Sequence, residues 1–218
     1  MSVRLAVFDC DGTLCDGQAA VCAAMDWAFA ETGLPAPDRQ LVRRTVGLSL
    51  PQAVALLAPE LLPEKQGDIV EAYKQAFRRA REDGSLREPL FDGIARVLTE
   101  ARAGGWLLGV ATGKSDRGLR STLASHGITE LFITSQTADR HPSKPHPAML
   151  EAAMAEAGAE AAGTVMIGDT VYDMEMARAL GVRALGGAWG YHAPAELLEA
   201  GADIVAQTPE ELGEILRD

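Results

Sequence analysis

The chain has 218 residues and no apolar run approaching the roughly 20 that a bilayer crossing demands, so no membrane-spanning helix and no membrane partner are expected. It opens on a strand pattern without a basic stretch or a small-residue cleavage site, which makes a cytoplasmic location the expectation. Cysteine is scarce: Cys10, Cys15 and Cys22 form an odd, early cluster without the paired spacing and histidines of a zinc site, and free thiols in a reducing compartment are predicted. Bases are also in the minority. With 20 Lys and Arg against 31 Asp and Glu, the net charge of -11 disfavours nucleic acid and anionic membrane surfaces, both of which would be repelled at long range. An anionic ligand would have to be drawn in locally, by a metal ion or a few bases. Repeats and low-complexity tracts are absent. What is present is a 47% hydrophobic content, enough for a full core domain plus a smaller insertion.

Downstream of Leu90 the pattern alternates. A helix is predicted over 92–103, a strand over 106–112, an amphipathic run from Ser115 to His126, and a strand over 131–135. A helix over 145–157, the strand "TVMIGD" (164–169), a helix to Leu180 and a short strand near 182–185 follow. Thr208-Pro209-Glu210-Glu211 reads as a capping box that starts a last helix, ending near Leu216. Repeated strand–helix units of this kind predict an α/β fold with a doubly wound, Rossmann-like parallel sheet. Nearly a hundred residues separate the first strand (3–8) from the second, where a crossover needs about thirty. The excess shows helical periodicity at 19–31, 38–46, 51–57 and 64–81 and no strands, so an all-helical cap domain is predicted over 16–88, with residues 1–15 and 89–218 forming the Rossmann-like core.

The first strand runs into "DCDGTL", where Asp9 and Asp11 would face the same way if the strand continued, and would repel without a proton or cation between them. Cys10, between them, is read as a side chain facing the core. In an open parallel sheet, ligands sit beyond the C-terminal strand ends. Four such ends carry polar residues: Asp9/Asp11, Thr112-Gly113-Lys114-Ser115, Lys144, and Asp169 with Asp173. If a helix begins at about Asp169, its carboxylate and that of Asp173 look toward one edge. Four carboxylates and one ammonium in one crevice call for a divalent cation, and hard oxygen ligands favour Mg2+. "GVATGKS" is not a nucleotide-binding loop, since Gly109 and Gly113 enclose three residues rather than four. Lys114 is therefore expected at the surface of a helix start, or at most as a peripheral phosphate contact.

Taken together, "DCDGTL" (9–14), "VATGKS" (110–115), "SKPHP" (143–147) and "GDTVYD" (168–173) make the sequence resemble the phosphatases of the haloacid dehalogenase superfamily that carry a helical cap after the first motif. The resemblance spans essentially the whole chain. It implies Asp9 as a nucleophile that takes the phosphoryl group as an aspartyl-phosphate, and Asp11 as general acid and then base. It implies Mg2+ held by the Asp9 carboxylate, the Asp11 backbone carbonyl and Asp169, with Asp173 binding through water or steadying the site. Thr112 and the Gly113 backbone would hold phosphoryl oxygens, and Lys144 would neutralise charge. An aspartate at position 11 disfavours dehalogenation, which needs no proton for a departing halide. Gly113 stands where relatives often have Asn, and Gly17 where a Ser is common. Arg43, with Gly47 four residues on, is similar to an element lining the active site of phosphoglycolate-phosphatase-like relatives, and would pair with a second anionic group. His141 and His146 flank Lys144 without an assigned partner. The resemblance thus implies a Mg2+-dependent phosphatase for a small phosphorylated metabolite such as phosphoglycolate. The alternatives are a β-phosphoglucomutase-type phosphomutase and a non-catalytic metal- and phosphate-binding regulator.

Overall fold

A computed structural model describes residues 3–217. Six strands form one parallel sheet: β1 (Arg4–Phe8), β2 (Trp106–Thr112), β3 (Phe132–Thr137), β4 (Thr164–Gly168), β5 (Arg183–Gly187) and β6 (Ile204–Ala206), in the order β3-β2-β1-β4-β5-β6. The chain winds outward from β1 to β3, then returns to the other flank of β1 for β4. The winding direction therefore reverses beside β1, and at such a reversal an open sheet leaves a crevice at its C-terminal edge.

The period of two along β1 sorts its side chains between two layers. Leu5 and Val7 face α7 (Ala148–Ala157) and α8 (Val171–Ala179), packing with Met149, Leu150 and Met174. Ala6 and Phe8 face α5 (Ile94–Ala103), α6 (Asp116–Ser125) and α10 (Pro209–Arg217), packing with Leu98, Leu119 and Leu212. Phe8 and Leu5 are fully buried, and each such side chain contributes about 1.5–3 kcal/mol relative to exposure.

Between β1 and α5 lie four helices: α1 (Gln18–Glu31), α2 (Arg39–Thr45), α3 (Leu50–Leu57) and α4 (Pro63–Glu82). They carry a hydrophobic cluster of their own, with Met25, Phe29, Val42, Val54 and Ile69 among its members. Local chemistry starts two of these helices: Asp38 caps α2 by accepting from the Gln40 N–H at 2.7 Å, and Pro63 occupies the first turn of α4. The exit and return of this insertion lie side by side, where the Asp16 N–H donates to the Pro89 carbonyl at 2.8 Å and Cys15 bridges Leu90.

Three details differ from the expectation. Helix α8 starts at Val171, because Thr170 adopts an extended cap conformation, so Asp169 is not on the helix with Asp173. Helix α7 starts at Ala148, three residues later than expected. A further helix, α9 (Pro194–Ala200), and the edge strand β6 have no counterpart in the prediction. At seven and three residues, they are too short to display a period.

Candidate active site

The register of β1 with β4 pairs Phe8 with Ile167, so Asp9 and Asp169 leave adjacent strand ends although 160 positions separate them. The Asp9 N–H still donates to the Ile167 carbonyl at 2.9 Å, after which the chain turns, with Leu14 N–H and Cys15 N–H both donating to the Cys10 carbonyl. Gly12 makes the turn at φ +85°, and a Cβ there would lie 2.1 Å from Asp169 Oδ2; backbone conformation and space both demand glycine. Cys10 is buried in the core, as read from the sequence.

Asp9, Asp169, Asp173 and Lys144 are fully buried together. Asp169 is held by Thr13 Oγ1 donating to Oδ1 at 2.7 Å and by the Tyr191 N–H donating to Oδ2 at 2.9 Å. Asp173 accepts Lys144 Nζ on Oδ1 at 2.6 Å and Thr170 Oγ1 on Oδ2 at 2.7 Å. Lys144 Nζ also lies 3.1 Å from Asp9 Oδ1, which accepts the Cys10 N–H at 2.6 Å. Burial pushes the Asp9 carboxyl up to about 7, with Lys144 opposing and Asp173 assisting the shift. Burial likewise raises Asp169, with Asp9 and Asp173 adding to it. Burial alone would lower Lys144, but the carboxylates of Asp173 and Asp9 reverse this and hold its ammonium above the usual lysine range.

Three buried carboxylates therefore stand close to one ammonium, which contacts two of them. One oxygen of each carboxylate lies within 4.8 Å of the others, and Asp9 Oδ2 is buried with no hydrogen-bond partner among the described residues. An orphaned anionic oxygen in an all-carboxylate cradle fits a hard divalent cation and does not fit a soft one. The Asp11 carboxylate is not part of this triad, which leaves its side chain free for another task.

A cavity of about 340 Å3 opens above the triad, between the sheet edge and the helical insertion. Asp9, Asp11, Thr112 and Gly113 form its floor, and Val46–Pro51 of the insertion part of its roof. Thr112 is buried at the end of β2, where its Oγ1 accepts the Lys114 N–H at 3.3 Å. Gly113 lies directly beneath the roof: a Cβ there would stand 2.3 Å from the Leu48 carbonyl oxygen and 2.8 Å from that of Gly47.

Other expected residues fall elsewhere. Arg43 lies half-buried beside Cys22 in the insertion, its Nε without a hydrogen-bond partner, and is not in the cavity wall. His141 pairs with Gln136 at 2.8 Å, and His146 accepts the Ala148 N–H at 3.2 Å; both serve local structure. Lys114 is a correction. Far from being a surface residue, its side chain is only 10% exposed and lies between Asp11 (3.0 Å) and Glu88 (2.5 Å). Sequence reasoning missed Glu88 because nothing local marks it; only the return of the insertion brings it to β2. It also missed Thr13 as a partner of Asp169, although Thr13 stands within the quoted first motif.

A parallel sheet with carboxylates at the crevice, a lysine among them and a roofed cavity defines an α/β protein with a buried anionic site at the switch point of its sheet, and comparison with known proteins gives its family. Residues 6–186 match the family model of the haloacid dehalogenase-like hydrolases, and the chain belongs to that family, as a phosphoric monoester hydrolase. It is 34% identical over 213 residues to a probable phosphatase, IndB, of Dickeya dadantii, covering 95% of this chain and 91% of that one. It is 32% identical to the N-acetylmuramic acid 6-phosphate phosphatase of Pseudomonas putida (99% and 97% covered) and 26% identical to the phosphoglycolate phosphatase of Vibrio cholerae (99% and 96%).

Proposed function

We propose that the protein is a Mg2+-dependent phosphatase of a small cytoplasmic metabolite, working through an aspartyl-phosphate on Asp9. The orphaned Asp9 Oδ2 within the buried triad is the observation that carries this reading. Asp9, Asp169 and the Asp11 backbone carbonyl would hold the ion, which when bound supplies positive charge against the carboxylates and the phosphoryl oxygens. Asp173 accepts Lys144 Nζ on Oδ1 at 2.6 Å, so it positions the lysine beside Asp9 and steadies the site.

In the first step an Asp9 oxygen attacks phosphorus in line, the ester P–O bond breaks, and the Asp11 carboxyl passes its proton to the departing alkoxide. In the second, the Asp11 carboxylate takes a proton from the water that attacks the aspartyl-phosphate, releasing inorganic phosphate and restoring Asp9. Lys144, held by Asp173 beside Asp9, balances the charge that collects on the transferring group, and the Thr112 hydroxyl and nearby backbone N–H groups orient its oxygens. The roof excludes water from the floor while the ester is in place. The three free thiols, Cys10, Cys15 and Cys22, suit a reducing cytoplasm.

For the ester itself, two observations favour a leaving group larger than glycolate. The cavity of about 340 Å3 lies at the lower end of the range of small-molecule pockets, with room for a single ring beside the phosphate. Its wall joins apolar Val21, Met25 and Phe77 to Arg78 and Arg117, neither of which is in an ion pair among the described residues. A phosphorylated sugar acid offers both an apolar ring face and a carboxylate, and the Pseudomonas putida relative is named for such a substrate. Phosphate release should be measured with Mg2+ from p-nitrophenyl phosphate, phosphoglycolate, N-acetylmuramic acid 6-phosphate and N-acetylglucosamine 6-phosphate, alongside Asp9→Asn. Turnover abolished by that substitution, with the carboxylated sugar preferred, is the expected result. Tight binding without turnover would favour a regulator, and isomerisation of a sugar phosphate without phosphate release a mutase.

A further inference from the structure

The ammonium of Lys114 is enclosed where the insertion rejoins the core. Its aligned hydrogen bond goes to Glu88 Oε1 at 2.5 Å, while Asp11 Oδ1, at 3.0 Å, lies off the line that a hydrogen bond needs and has no other partner among the described residues. Glu88 is itself fixed from the core: Thr122 Oγ1 of α6 donates to its Oε2 at 3.0 Å, and His126 Nε2 meets its carbonyl at 2.8 Å. The next residue, Pro89, accepts the Asp16 N–H across the exit and return of the insertion. Phe77 of α4 has its ring centroid 5.9 Å from Lys114 Nζ. These groups form a chain from α6 through Glu88 and Lys114 to Asp11.

On its other side Asp11 borders the cavity. A Cβ at Gly17 would lie 2.6 Å from Asp11 Oδ1, so the glycine makes room for this carboxyl where it stands. Among the described residues, Lys114 is the single cation within 4.0 Å of it. We propose that Lys114 and Glu88 are positioning residues for Asp11: Glu88 pins the ammonium, and the ammonium keeps the Asp11 carboxyl at the cavity floor, facing the oxygen of the leaving group. The inference rests on the reading of Asp11 as the proton donor. Glu88 sets where Lys114 stands, and Lys114 limits where Asp11 can turn. Displacement of a reacting group by about 1 Å costs on the order of a hundredfold in rate, so the clamp acts on the step that needs the proton.

The test compares two esters on the full-length protein with Mg2+. The leaving group of p-nitrophenyl phosphate departs without a proton, whereas that of propyl phosphate requires one and carries no charge of its own. Lys114→Met and Glu88→Ala are expected to lower kcat/KM, which reports formation of the aspartyl-phosphate and not its hydrolysis, for propyl phosphate at least about tenfold further than for p-nitrophenyl phosphate. Glu88→Gln keeps an acceptor for the ammonium and should recover most of the loss. Equal losses on both esters, or a Glu88→Gln enzyme no better than Glu88→Ala, overturn the proposal. So does a rise in KM confined to carboxylated esters with propyl phosphate turnover intact, which would make Lys114 a substrate contact. Should Lys114→Met fail to fold, the Glu88 pair decides alone. Wild-type protein that cleaves neither ester would instead remove the phosphatase reading on which the clamp depends.

Discussion

The main-chain N–H of Ser49, in the loop between α2 and α3, donates to Ser143 Oγ at 2.7 Å, and so ties the roof to the residue beside the buried Lys144. A second tie lies at the end of α2, where the Arg44 carbonyl accepts Tyr172 OH at 3.2 Å and His192 Nε2 at 3.3 Å while its guanidinium pairs with Glu196 at 2.7 Å. The exposed Arg44–Glu196 pair adds little by itself. The bonds to backbone atoms matter more, because they fix where the roof loop stands above the crevice. Loops that close over a reacting centre exclude water and complete the site, so these contacts connect packing to turnover.

Ser143→Ala isolates the first tie. It leaves the Ser49 N–H without its partner, and because Ser49 is only half-buried the loop can lift and let water take that place. The expected outcome is a fall in kcat/KM for p-nitrophenyl phosphate of roughly tenfold, with thermal stability little changed because the sheet is untouched. A variant as active as the wild type would show that closure does not use this bond.

Gly113→Ala approaches the same closure from below. Its methyl group would meet two backbone carbonyl oxygens, at 2.3 Å and 2.8 Å, and main chain cannot rotate aside as a flexible side chain would. The roof must lift, so KM should rise and protease cleavage within residues 45–51 should quicken, while cooperative unfolding of the core persists. Unaltered KM and proteolysis would mean that the roof already stands clear of Gly113 in solution.

Much of this was legible in the sequence. Strands β1, β2 and β4 and their terminal residues stood out because buried parallel strands read as apolar runs that end abruptly in Asp9, Thr112 and Asp169. The four-helix insertion was equally visible, since a crossover of that length cannot be a single helix. What was hidden depends on pairing across the chain. Lys114 looks exposed in "TGKS" because the sequence does not reveal that Glu88 returns beside it. Arg43 looked functional through its spacing to Gly47, yet one turn of α2 carries it to Cys22 rather than to the cavity. The expectation that Asp169 shares a helix with Asp173 missed the extended Thr170 cap, and their convergence comes instead from a strand end meeting the first turn of the next helix.

Removal of the metal provides a third test. An ion that binds only the folded triad stabilises by mass action, about 2.7 kcal/mol at a hundredfold excess over its Kd. Wild-type protein should melt several degrees higher in Mg2+ than in EDTA, and Asp169→Asn should lose most of that increment. An increment of the same size in Asp169→Asn would place the ion elsewhere.

Lys144 allows charge to be separated from packing. Its side chain is wholly buried, within 3.1 Å of Asp9 and 2.6 Å of Asp173, so removing it takes away the one ammonium in contact with the triad among the described residues. Lys144→Met keeps most of the volume and deletes the charge. Breaking a buried ion pair by loss of one partner costs about 3–5 kcal/mol, because the remaining charge is left uncompensated. In EDTA the variant should therefore be destabilised by an amount of that order, and turnover should be lost. Saturating Mg2+ should recover more stability in Lys144→Met than it adds to the wild type, since the ion then neutralises carboxylates that have no other counter-charge. Thermal or urea unfolding with and without Mg2+ measures the difference between the two increments. If the increments are equal, the lysine and the ion do not share the same carboxylates, and the placement of the ion among Asp9, Asp169 and their neighbours is wrong.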